Sequence, residues 1–162
     1  MATAPRIALR AVKTMYGTQL PTLGVPEKAG AAFKVGAPVV GTAGFVDECG
    51  ADPVSILGIA TKAGQLGGTD GAKTNTVHLA APGTLFVGNL DDGAGSQVSA
   101  VADRFKLYGI AKHAGTGKWY VDKTDTTATR VRIWEFWDED AMGDTMARVV
   151  FCFLTANFQG HA

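Results

Sequence analysis

Short apolar runs rich in Val and Thr alternate along this chain with turns built from Gly, Asp and Pro, a pattern that predicts strands rather than helices. The runs are "AFKVGAPVVG" at 32–41, "VSILGIAT" at 54–61, "TVHLAA" at 76–81, "TLFVGNL" at 84–90, "FKLYGIAK" at 105–112, "KWYVD" at 118–122, "TRVRIWEFW" at 129–137 and "ARVVFCFL" at 147–154. So many short strands in one stretch predict an all-β fold, a barrel or a sandwich. Helix is confined to a turn or two, the candidate being "SQVSAVADRFKLYG" from Ser96, whose tail reads equally well as strand.

Two segments depart from this pattern. Residues 1–26 carry Pro5, Pro21 and Pro26 and show no clear strand alternation, yet they contain Ile7, Leu9, Val12, Met15 and Tyr16. Such a segment is too apolar for a solvated tail. The expectation is an extended, irregular N-terminal arm over 1–26 that docks on its own barrel or on a neighbouring chain, followed by a barrel domain over 27–162. The second departure is "RVRIWEFWD". Val131 and Ile133 share one face, whereas Trp134 and Phe136 fall on the other, so either a bulge near Trp134 and Glu135 resets the phase or both faces are covered. The loops 64–75 and 89–96 read as exposed and flexible.

Composition narrows the class. The 162 residues suffice for one domain with its own core. Two cysteines form no framework: Cys49 reads as a loop thiol and Cys152 as a small core residue, as suits a reducing compartment. No charged-then-apolar leader and no membrane-spanning run is expected. Lys and Arg balance Asp and Glu at 15 each, which argues against binding to nucleic acid. The charge is unevenly placed, because Arg6, Arg10 and Lys13 meet no acid within 1–26 while "DEDAMGD" at 138–144 is acidic.

Chemistry finds little to stand on. "GTGK" fails as a phosphate loop, since Lys112 occupies the first glycine position and Trp119 follows Lys118, so a turn is expected. His78, His113 and His161 have no metal-ligand spacing. "DEDAMGD" has Met142 and Val149 where calcium ligands belong. Ser55 and Ser99 lie outside a nucleophile elbow. No catalytic residue, metal or cofactor is assigned, and the chain is not read as an enzyme.

The stretches "EKAGAAFKVGAPVV" (27–40), "DECGADPVSILGIATKAG" (47–64), "WYVDKTDTTATRVRI" (119–133) and "GDTMARVVFCFL" (143–154) resemble the head decoration, or cement, proteins of tailed bacteriophages. The resemblance covers most of 27–158. It implies a β-tulip barrel that assembles as a homotrimer on the capsid exterior at three-fold and quasi-three-fold positions. There it binds the major capsid protein after expansion and stabilises the shell. It implies no active site and no membrane or nucleic-acid partner, with synthesis in the host bacterial cytoplasm and residence in the virion. The family's attachment arm corresponds to residues 1–26, so Arg6, Ile7, Leu9, Arg10, Val12, Lys13, Met15 and Tyr16 are the expected capsid contacts. Trp134, Phe136, Trp137 and Met142 are expected in the core or the trimer interface. The other class open to the sequence is a small-molecule or carbohydrate-binding β-barrel with Trp119, Tyr120 and Trp134 as stacking surfaces.

Overall fold

The structure is a computed structural model that describes residues 2–137, 140 and 142–160. Its strands are β1 (Arg10–Thr14), β2 (Thr22–Pro26), β3 (Pro38–Thr42), β4 (Phe45–Glu48), β5 (Gly58–Ala60), β6 (Thr74–Leu79), β7 (Thr84–Asp91), β8 (Leu107–Lys112), β9 (Trp119–Asp122), β10 (Val131–Phe136) and β11 (Arg148–Phe153). Among the described residues helix amounts to two 3-10 turns, Val101–Asp103 and Thr155–Asn157.

The strands form two sheets. In the larger, β7, β11, β10, β8 and β9 follow in order, and the parallel pairing of β9 with β7 closes them into a five-stranded barrel. The smaller runs β2-β6-β5-β3-β4, and a bridge from Glu27 to Val46 draws its two ends together. One apolar cluster serves both sheets. Phe86, Phe151 and Phe153 pack with centroids 5.2–6.0 Å apart inside the barrel, and Val39, Val46, Ile59 and Val77 extend the same cluster under the second sheet.

Strand β7 organises the barrel. All its residues are buried. One edge carries β11, while the other carries β1 along Thr84–Val87 and then β9 at Leu90 and Asp91. A strand covered on both faces and both edges reads as a continuous apolar run, which is why "TLFVGNL" is legible in the sequence.

The irregular course expected for residues 1–26 is corrected, because the segment forms β1 and β2 and contributes to both sheets. The sequence signal is weak for physical reasons. A register shift between Ala11 and Lys13 breaks the alternation of β1, and Gly24 and Pro26 dilute β2, where Leu23 is exposed. The accessible surface, 7536 Å², matches the roughly 7,700 Å² that size scaling gives a compact chain of this mass. An arm held away from the body would raise it. Leu9 anchors the segment at 1 % exposure, over Gly88 and against Gly36. A Cβ at Gly36 would stand 2.6 Å from the Leu9 carbonyl oxygen, and one at Gly88 would collide with the Leu9 side chain. Asn89, fully buried, holds the approach to Leu9 by accepting the Ile7 N–H at 2.7 Å and donating to the Pro5 and Met146 carbonyls.

Three smaller expectations also change. Asn89 and Leu90, claimed by both the predicted strand and the flexible loop, belong to the strand, and Asp91, placed in the loop, ends β7; all three are buried. The 64–75 stretch is mostly exposed, but the buried Glu27 carboxylate accepts hydrogen bonds from the Gln65 N–H and the Asn75 amide at 2.8 Å, tying both ends of the loop to one point. The cysteines exchange roles: Cys49 is buried and Cys152 half-buried, because Cys49 follows β4 into the core while Cys152 alternates outward between Phe151 and Phe153.

Candidate functional site

The bulge foreseen in β10 is present. Ile133 pairs with Phe151 and Glu135 with Val150, so Trp134 has no partner across the ladder and the phase shifts at that residue. An unpaired residue in a bulge is re-aimed relative to its neighbours. Trp134 ends half-buried on the outer wall, with its indole N–H directed at Cys152 Sγ, 3.1 Å away. On either side lie two open grooves. One, about 250 Å³, is lined by Met15, Gly83, Arg132, Trp134 and Cys152 among others. The second, about 340 Å³, runs along Lys13, Met15, Leu85, Trp134 and Glu135. Trp134 and Met15 border both.

The surface around these grooves is apolar. Phe105 packs edge-on against Trp134 with ring centroids 5.9 Å apart and an interplanar angle of 85°, yet it stays 63 % exposed. Its backbone sits at φ 64°, a region costly for a bulky side chain. Met15 is 45 % exposed and Tyr16 79 %, the Tyr16 ring lying over Gly83, where a Cβ would come within 2.8 Å. Leu107, opposite Arg132 in the β8–β10 pairing, is exposed as well. The site therefore combines Met15, Tyr16, Phe105, Leu107 and Trp134 on one wall.

Charge on this wall is one-sided. Arg104 and Lys106 flank Phe105 and both are exposed, Arg132 lines a groove, and none of the three forms an ion pair among the described residues. The Arg104 guanidinium lies 5.7 Å from the centroid of Phe136. Glu135 is the carboxylate on the wall, and Lys13 pairs with it at 2.9 Å.

Other expected site residues are engaged within the chain. Arg6 pairs with buried Asp91 at 2.6 Å and lies over Tyr120 at 5.7 Å. Arg10 stacks over Trp137, 5.7 Å from its centroid. Ile7 and Val12 are half-buried, Leu9 is core, and Phe136 packs against the core cluster. Met142 is 53 % exposed beside the Asp140–Arg148 pair, whose Nη2–Oδ1 distance is 2.8 Å. Burial pushes the Asp140 carboxyl up, but its hydrogen bonds from Arg148 outweigh this and hold it below the usual range. Asp138, Glu139 and His161 lie outside the described residues.

Of the surfaces proposed for stacking a small ligand, Trp119 and Tyr120 are buried at 3 % and 5 % exposure. Trp119 spends its indole N–H on Glu48, which also pairs with Lys112. The "GTGK" segment is the β8–β9 turn, with the Gly117 N–H donating to the His113 carbonyl and Gly117 at φ 66°. Two residues before Phe105 in the chain, Asp103 centres a network that the sequence did not reveal. Asp103, 2 % exposed, accepts from the Tyr108 hydroxyl at 2.7 Å, Lys123 Nζ at 2.9 Å and the Ala100 N–H at 2.8 Å. Burial would raise its carboxyl, but the bonds from Lys123 and Tyr108 prevail and hold it below the ordinary value. Its partners sit at separations of 5 and 20 residues that no short motif covers. Among the described residues no group of His, Cys, Asp and Glu is arranged to hold a metal.

Comparison with protein-family models, with curated proteins and with solved structures finds no match to this chain.

Proposed function

We propose that this protein is a structural subunit of a bacteriophage head, a β-tulip-type decoration protein that seats on the outside of the expanded capsid as a homotrimer and stabilises the shell. The observation that carries the reading is the wall around Trp134: a bulge turns a tryptophan outward between two open grooves, among exposed Met15, Tyr16, Phe105 and Leu107. Contiguous exposed apolar surface of this kind marks a macromolecular interface. It is supported by the sequence resemblance over 27–158. The burial of Trp119 and Tyr120 takes away two of the three stacking surfaces of the carbohydrate-binding alternative and leaves it Trp134 alone.

Attachment in this reading uses a folded wall rather than a free arm. Of the residues expected to touch the capsid, Met15 and Tyr16 are the ones most open to a partner, whereas Arg6 and Leu9 serve the protein's own interior. Three copies acting together multiply a modest contact into a strong one. The test is co-sedimentation of the purified protein with expanded shells that lack it, combined with light scattering to weigh the free protein. Saturable binding at three copies per three-fold position is expected. Absence of binding to expanded shells sinks the proposal.

A further inference from the structure

We infer that the Trp134 wall takes an acidic, apolar segment of a protein partner, with side chains such as leucine or phenylalanine entering the two grooves and carboxylates meeting Arg104, Lys106 and Arg132. Within the proposed function, on which this reading of the partner rests, that segment belongs to the capsid subunit. Three observations converge. Phe105 holds a positive φ while 63 % exposed and packed on Trp134, so strain is retained at a residue whose ring is only partly used inside the fold. Two grooves meet at Trp134, and each is lined by Met15 and Trp134 together with a polar side chain, Arg132 in one and the Lys13–Glu135 pair in the other.

The third observation is charge. The chain is neutral overall, yet among the described residues Arg104, Lys106 and Arg132 form no ion pair, Arg104 resting over the Phe136 ring, while Glu135 is already neutralised by Lys13. A basic segment would meet three like charges, and a purely apolar one would leave Arg132 facing it without an ion pair, so charge complementarity selects an acidic occupant. Arg132 is best placed to set register, since its planar fork can bind a carboxylate with two parallel hydrogen bonds beside the groove that it lines.

The test uses the full chain and a short synthetic peptide in which aspartate alternates with leucine and phenylalanine, titrated while tryptophan fluorescence is followed. A peptide with lysine in place of aspartate is the control, and Trp134→Phe identifies the reporting indole. The acidic peptide should bind, the lysine peptide should not, and Arg132→Glu should weaken binding by about tenfold or more while leaving the circular dichroism spectrum unchanged. Equal binding of both peptides, binding unaffected in Arg132→Glu, or no binding of the acidic peptide overturns the inference. If instead the free protein self-associates and Phe105→Ala makes it monomeric with no peptide binding, the occupant is a second copy and the assignment is wrong. Shell co-sedimentation reports on the head-protein reading independently: wild-type protein that binds the peptide but no shell refutes that reading alone.

Discussion

Phe105 carries a backbone cost at a residue whose N–H is bonded to the Ile133 carbonyl of β10. A phenylalanine at positive φ costs on the order of 1–3 kcal/mol relative to a relaxed conformation, and its exposure recovers only part of the usual burial term. The two cysteines give a sharper test at this scale. Burial, with Glu48 and Asp47 nearby, pushes the Cys49 thiol up to about 12, so little thiolate forms near neutral pH. Cys152 borders an open groove. Titration with a thiol reagent near pH 8 should label Cys152 readily in the native protein and Cys49 only after denaturation. Equal rates for the two would contradict the assigned burial.

Asp103 gives the pH dependence. Its carboxyl is held lower in the folded protein than in the unfolded chain, so the unfolded state takes up a proton first as pH falls. The associated stability is fully present above the unfolded value near 4 and is lost as pH drops through the folded one. Asp103→Asn should therefore flatten the decline of Tm at acid pH. At neutral pH it should cost about 1–3 kcal/mol, because Lys123 and Tyr108 lose a charged acceptor. A variant whose Tm falls in parallel with wild type over the acid range would show that Asp103 is not the group responsible.

At the scale of the element, the bulge in β10 is separable from the fold. Since Ile133 and Glu135 already pair with consecutive residues of β11, deleting Trp134 should leave the ladder continuous. The expected outcome is a folded protein with Tm within a few degrees of wild type, reflecting about 1 kcal/mol of lost aromatic contact with Phe105. It should also lose peptide binding. Unfolding on deletion would mean that the bulge sets the barrel's register. Leu9→Ala makes the opposite case, with about 2–4 kcal/mol lost in urea denaturation, because the side chain is 1 % exposed and packs over Gly88 in the core.

These elements also mark what was legible. The runs later found as β3 and β5 to β11 announced themselves through Val, Ile and aromatic residues facing a core, and the bulge through its broken alternation at Trp134. Strand β4 escaped because "FVDE" offers two apolar residues, and β1 and β2 because their pairing comes from distant partners, Thr84–Val87 and Thr74–His78. Of the site, Met15, Tyr16 and Trp134 were singled out from the sequence, whereas Phe105 was read as ordinary strand. A backbone angle leaves no signature in composition.

At the scale of the whole molecule, zero net charge conceals a division of labour. Arg6, Arg10 and Lys13, which look like a basic arm in the sequence, are satisfied internally by Asp91, Trp137 and Glu135. Among the described residues, the cations that form no ion pair include Arg104, Lys106 and Arg132 around Phe105. The order of strands around the barrel has a further consequence, for synthesis. The strands of the smaller sheet lie between residues 22 and 79, so that sheet can assemble while the rest is still being made. The barrel cannot, because β11 lies between β7 and β10 and follows both in the chain. Until β11 leaves the ribosome, β7 and β10 each present a bare edge that could pair with a neighbouring nascent chain. The emergence of β11, rather than of any earlier strand, therefore decides whether a molecule becomes a closed barrel or joins an aggregate.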